Sequence, residues 1–122
     1  MNISKRYEDE IVIVTPEKNS ESNESEHLTI DIANNKTLVD AIEDELQKGK
    51  FKIIINLKHI AFVDSSGLQG LFTCAININK RNGSLLITDI NNNILRIFKI
   101  TSLLDIVKPF GTEADAIKSL IS

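Results

Sequence analysis

Short apolar runs alternate with helically spaced apolar positions along most of the chain, and one stretch carries no apolar residue at all. Ile11-Val12-Ile13-Val14 is a β-branched run that predicts a strand ended by Pro16, with Ile3 to Tyr7 as its hairpin partner. From Glu17 to His27 the chain reads Glu-Lys-Asn-Ser-Glu-Ser-Asn-Glu-Ser-Glu-His. Such a segment cannot offset the entropy of ordering itself, so a polar surface loop over 17–27 is expected. Leu28-Thr29-Ile30-Asp31-Ile32 alternates apolar and polar residues and predicts a strand. Leu38, Ile42 and Leu46 then form a helical stripe, with Val39 and Ala41 at its margins. Asn34 or Asn35 can cap this helix, which runs to about Lys48 before Gly49 supplies a left-handed stop. Its outer face carries Asp40, Glu43 and Asp44, either solvated or meeting a basic partner.

Lys52-Ile53-Ile54-Ile55-Asn56-Leu57 has the pattern of a strand buried on both faces. Lys58 to Val63 reads as a connector whose apolar residues anchor the turn that follows. Leu68, Leu71, Phe72, Ala75 and Ile78 recur at helical spacing from near Ser66 until Arg81-Asn82-Gly83 ends the helix. Ser84 to Thr88 predicts another buried strand, and Asn91 to Lys99 a short helix with Ile94, Leu95 and Phe98 inward. Ile106-Val107 predicts a short edge strand stopped by Pro109 and Gly111. Thr112-Glu113-Ala114-Asp115 resembles a capping box and opens a terminal helix expected to bury Ala116, Ile117, Leu120 and Ile121. Neither an internal repeat nor a domain linker is visible. The alternation predicts one α/β domain over residues 1–122, a mixed β-sheet with helices packed mainly on one face.

Composition narrows the function classes. A formal charge of −3 argues against nucleic acid or an anionic membrane as the direct partner. No apolar run approaches the ~18 residues a membrane helix needs, and no signal-peptide pattern opens the chain, so a cytoplasmic protein is expected. Cys74 is the only cysteine, which excludes an internal disulfide, and its place in a helix fits a packed, inert thiol. His59 has no second His, Cys or carboxylate at ligand spacing, and His27 lies in the polar loop, so neither a metal nor another cofactor is expected. No exposed apolar helix face demands a dimer, and a monomer is expected.

The chemistry concentrates at Phe62-Val63-Asp64-Ser65-Ser66-Gly67-Leu68, where the central strand over Lys52 to Leu57 is expected to hand over to a helix. Ser65 or Ser66 would sit among the first helical N–H groups, which lack intrahelical partners and favour an anion. Ser and Asp are also ordinary N-caps, so a plain helix start is the competing reading. Beyond the serines, Gln69, Gly70, Thr73 and Asn77 form a polar, uncharged face away from the core stripe. Gly70 there serves either tight packing within the fold or the close approach of another protein. In the polar loop, Ser20, Ser22 and Ser25 are candidates for a regulatory phosphosite, the competing reading being a plain solvated loop.

Lys52 to Leu57 followed by Ile60-Ala61-Phe62-Val63-Asp64-Ser65-Ser66-Gly67-Leu68 resembles the signature of STAS domains, and more narrowly that of bacterial anti-sigma factor antagonists. Asp31 stands where that family ends its second main strand with Gly-x-Leu-Asp, although the glycine is absent here. Arg96 to Leu103 resembles a later family segment, with Ser102 in place of its usual glycine. The resemblance implies that Ser66 is phosphorylated by a partner that is both serine kinase and anti-sigma factor. It implies that the unmodified domain binds that partner and releases sigma factor, that phosphorylation ends binding, and that a phosphoserine phosphatase restores it. Asp31, Asp64, Ser65, Ser66, Gly67, Gln69, Gly70 and Thr73 would then form the partner-binding surface.

Two rival readings remain. An esterase-type serine would need Gly-x-Ser-x-Gly, but Val63 or Asp64 stands where the first glycine belongs, and no triad base or glycine-rich phosphate loop is apparent. An enzyme is therefore not expected. The other rival is a STAS scaffold in a lipid-transport, stress-signalling or anion-transporter assembly.

Overall fold

The computed structural model describes residues 1–19 and 28–121, so positions 20–27 of the expected loop over 17–27, with Ser20, Ser22, Ser25 and His27, lie outside the described residues, while Glu17 is the last residue of a strand rather than part of the loop. Strands β1 (Asn2–Glu8) and β2 (Ile11–Glu17) form the expected antiparallel hairpin. Next to β2 comes β4 (Lys52–Asn56), then β6 (Ser84–Thr88) and β7 (Lys108–Phe110), giving the order β1-β2-β4-β6-β7. Every neighbouring pair except β1 and β2 is parallel, so the sheet is mixed.

Side chains alternate across this sheet, and both faces are covered. Val12, Val14, Ile53, Ile55, Leu85 and Ile87 face helices α1 (Asn35–Gln47), α2 (Ser65–Lys80) and α3 (Asn92–Ile100), which contribute Leu38, Ile42, Leu71, Ala75, Ile94 and Phe98. Ile11, Ile13, Ile54 and Leu86 face the other way, against Ala116 of α4 (Glu113–Ile121). Three helices thus cover one face and one covers the other. The α4 stripe is narrower than the sequence predicts. Ile117 and Leu120 are half-buried, while Ile121 is exposed because it lies about 140° around the helix from Ala116.

Both prolines lie inside strands rather than ending them. Pro16 sits opposite Ile3 in β2, beyond Val14, where pairing with β4 has already stopped. The edge strand runs over Lys108–Phe110 rather than Ile106-Val107, and Pro109 pairs with Ile87. An outermost strand has one open side, where a missing N–H breaks no ladder. Between α3 and β7, Leu103–Asp105 forms a 3-10 turn, and Ser102 before it adopts φ 66°. That left-handed conformation suits glycine and strains a serine by about 1 kcal/mol. Ser102→Gly should therefore raise stability by roughly that amount, less the entropy that glycine adds to the unfolded chain, read as a higher urea midpoint.

Two polar contacts fasten the outer elements. Glu45 of α1 is fully buried, and the Tyr7 hydroxyl donates to both its carboxylate oxygens at 2.6 and 3.0 Å. Lys5 and Lys48 lie 3.6 and 3.8 Å from the same carboxylate. The pairing ties β1 to α1, and the hydrogen bond to Glu45 holds the Tyr7 phenol above its ordinary pKa. On the opposite face Glu113 accepts from Arg6 and from Asn56, each at 2.5 Å. Burial pushes the Glu113 carboxyl upward, but the Arg6 and Asn56 hydrogen bonds outweigh it and hold the group below its ordinary value of 4.5. A depressed folded-state pKa means the stabilisation is present above the unfolded value and is lost as pH falls through the folded one. Stability should decline as pH drops below about 4.5, and Glu113→Gln should flatten that part of the denaturation profile.

Candidate functional site

Strands β3 (Leu28–Ile30) and β5 (Ile60–Val63) pair in parallel as a separate two-stranded sheet. This corrects two expectations: the segment before the serines is a strand rather than a connector, and the strand feeding the serine turn is β5 rather than the central β4. The Asn91 side chain, which caps α3, also donates to the Ala61 carbonyl at 3.0 Å and steadies β5 from below.

β3 stops two residues sooner than its alternation predicts. Asp31 Oδ1 accepts from the N–H groups of Ala33 and Asn34 at 2.9 and 3.2 Å, and Asn34 Oδ1 accepts from the Asp31 N–H at 2.9 Å. This reciprocal Asx turn replaces further strand pairing. It also uses the Asn34 side chain, which gives no capping bond to α1 and instead donates to the Thr29 carbonyl at 2.7 Å. Ile32 is left 80% exposed beside the start of α1.

Parallel pairing sets Val63 beside Ile30, and the Asp64 N–H donates to the Ile30 carbonyl at 3.1 Å. Asp31 and Asp64 therefore follow two strand ends that lie side by side. Asp64 is the N-cap of α2: its Oδ1 accepts from the Gly67 N–H at 2.9 Å and its carbonyl from the Leu68 N–H at 2.8 Å. The N–H groups of Ser65 and Ser66 precede any intrahelical acceptor. Ser65 is exposed and Ser66 half-buried.

Gly67 permits this arrangement. A Cβ there would lie 2.2 Å from the Ile30 carbonyl oxygen, so only glycine lets the first turn of α2 rest on the end of β3. Gly70, expected on the face away from the core, is instead buried, and a Cβ would sit 3.2 Å from Asn35 Cβ and 3.4 Å from Val39 Cγ2. It is a point of close contact between α2 and α1. Gln69 and Thr73 are exposed, with the Thr73 hydroxyl donating back to the Gln69 carbonyl at 3.0 Å.

Alongside the serines runs a groove of about 370 Å³, with Ile32, Lys36 and Val39 on one wall and Ser66, Gln69 and Thr73 on the other. Ile32 and Lys36 were not legible as site residues, because Ile32 reads as part of a strand and Lys36 as an ordinary exposed helix residue. Lys36 pairs with Asp40 at 2.7 Å, one turn along α1. A larger cavity of about 580 Å³ lies against the later turns of α2, lined by Ile78, Asn79 and Asp105, and includes neither serine.

Among the described residues neither serine hydroxyl has a histidine within hydrogen-bond reach, and His59 is exposed on the turn between β4 and β5. No group of three His, Cys, Asp or Glu among them could hold a metal ion, and no helix is long and apolar enough to cross a membrane. Cys74 is buried in α2, and burial pushes its thiol up to about 12. The arrangement offers an accessible hydroxyl in a helical first turn, two carboxylates that follow neighbouring strand ends and are held by backbone N–H groups, and a partly apolar groove.

The family model described as STAS domain matches residues 27–116. An anti-sigma F factor antagonist of Paenibacillus polymyxa is 29% identical over 68 residues, covering 56% of this chain and 58% of that protein. An anti-sigma-B factor antagonist of Staphylococcus aureus is 35% identical over 71 residues, covering 57% of this chain and 65% of that one. The matched region thus spans less than two-thirds of either curated relative. A crystal structure from Thermotoga maritima, titled as that of a provisional anti-sigma factor antagonist, superposes with a TM-score of 0.81 at 25% identity. The superposition covers 96% of this chain and 92% of that one.

Proposed function

This chain belongs to the STAS domain family, and from that premise we propose that it is an anti-sigma factor antagonist switched by phosphorylation of Ser66. The unmodified domain binds an anti-sigma factor that is also a serine kinase, and sigma factor is released. The kinase transfers the γ-phosphoryl group of ATP to the Ser66 Oγ. An O–P bond forms, the β–γ bond breaks, ADP leaves, and the hydroxyl proton passes to a base of the kinase. A phosphoserine phosphatase hydrolyses the ester and restores the hydroxyl. The chain supplies the acceptor and the docking surface and performs no catalysis itself.

The observation that carries the reading is the setting of Ser66, half-exposed in the first turn of α2 and open to the groove between α1 and α2. A phosphoserine adds about −1.5 to −2 charges. The first-turn N–H groups favour that charge, so the domain keeps its fold. A partner surface fitted to a neutral hydroxyl would instead meet a dianion beside Asp64 and Asp31. Asp31, Asp64, Ser65, Ser66, Gln69 and Thr73 make up the docking face, whereas Gly67 and Gly70 act by bringing its pieces together.

Capture from an extract of the source cells on immobilised, unphosphorylated chain tests the assignment. Retention of a small ATP-binding protein with serine kinase activity toward Ser66 is the expected result. Retention of a membrane transport ATPase in its place would make the chain a scaffold subunit and overturn the proposal.

A further inference from the structure

Among the described residues, the groove beside Ser66 is lined by one cation, Lys36, contributed by the opposite wall. In the unmodified protein the Lys36 ammonium lies 2.7 Å from Asp40 Oδ2, with the two side chains 83% and 62% exposed. An exposed pair one helical turn apart is held weakly, so this ammonium is easily redirected. The other charges near the position are carboxylates, which repel a phosphate rather than pair with it. Asp64 adjoins Ser66 but is fixed to the Gly67 N–H, and Asp31 is fixed to the N–H groups of Ala33 and Asn34. α2 itself carries no charged residue before Lys80 at its far end.

Taking Ser66 as the acceptor, as proposed above, we infer that Lys36 is the built-in counter-ion of the Ser66 phosphate. On modification the ammonium leaves Asp40, reaches across the groove and holds the phosphoryl group between α1 and α2. The modified serine then closes the groove with its own ion pair. Loss of partner binding follows from occupation of the docking groove as well as from repulsion. The unmodified state keeps the groove open because the weak Lys36–Asp40 pair draws the ammonium along α1 instead.

Phosphoserine installed at position 66 by genetically encoded incorporation allows a direct test, with the 31P resonance titrated against pH. Removing the cation in K36Q should let the phosphate bind its second proton about threefold more tightly. K36R should restore the wild-type titration, and K80Q, the same charge change at the far end of α2, should leave it unaltered. Identical titration of K36Q and wild type, or an equal shift in K80Q, would overturn the inference. Lys36 is exposed, so K36Q is expected to fold, and its melting curve checks this. Because the phosphate is installed during synthesis, the outcome is independent of whether a kinase modifies Ser66 in cells, which mass spectrometry of the natural protein reads separately.

Discussion

Ser66→Asp should weaken binding to the proposed anti-sigma partner by about thirtyfold, on the order of 2 kcal/mol, while Ser66→Ala binds nearly as well as wild type. The difference follows from where the side chain sits. Ser66 is in the first turn of α2, where a carboxylate is tolerated by the unpaired N–H groups. Ser66→Asp should therefore melt no lower than wild type, which separates loss of binding from loss of fold. At the interface the same carboxylate would be desolvated near Asp64 and at the strand end beside Asp31, adding like charge to a surface fitted to a neutral hydroxyl. Alanine removes one hydroxyl and adds no charge. Calorimetric titration of both variants against the captured partner reads the effect, and equal affinities would count against a charge-operated switch.

Gly67→Ala should be the most damaging single methyl group at this site, costing about 3 kcal/mol. The added Cβ would lie 2.2 Å from the Ile30 carbonyl oxygen and 2.7 Å from its carbon, and both are backbone atoms that cannot rotate aside. Either α2 lifts from β3 or the β3–β5 pair distorts, and each outcome separates Asp31 from Asp64. Gly70→Ala is a useful contrast. Its Cβ would meet side-chain atoms of Asn35 and Val39 at 3.2 and 3.4 Å, a tight but yielding contact. The gain of roughly 1 kcal/mol in helix propensity nearly offsets it. Urea denaturation of the two variants should show a large drop for the first and little change for the second. Matching midpoints would mean that α2 does not rest on β3 as described.

What was legible in the sequence was set by local patterns. The apolar runs of β2, β4 and β6 and the apolar stripes of α1, α2 and α3 mark elements buried by their own periodicity, and each is the kind of element its pattern predicts. The serine turn was legible too, because Asp64 caps the helix that its sequence neighbours start. What escaped depended on partners distant in the chain. Ile60 to Val63 has the composition of either connector or strand, and only β3 alongside decides which. The alternation from Leu28 to Ile32 overran the Asx turn at Asp31, since side-chain turn chemistry outbids a two-residue extension of a strand. Pro16 and Pro109 read as stops, yet both fall where a strand has a free side. Glu45 looks like an exposed helix residue until Tyr7 of β1 closes over it. The wall of the groove formed by Ile32 and Lys36 belongs to the same class, because it exists only once α1 packs against α2.

If the proposed switch operates, phosphate on one particular oxygen decides which molecules remain partnered. Mass spectrometry of the protein purified from its own cells, with free and partner-bound fractions separated first, tests this directly. The free fraction should carry phosphate on Ser66, and the fraction bound to the anti-sigma factor should carry none there. Phosphate confined to other residues, or Ser66 phosphate in the bound fraction at the same level as in the free one, would contradict it.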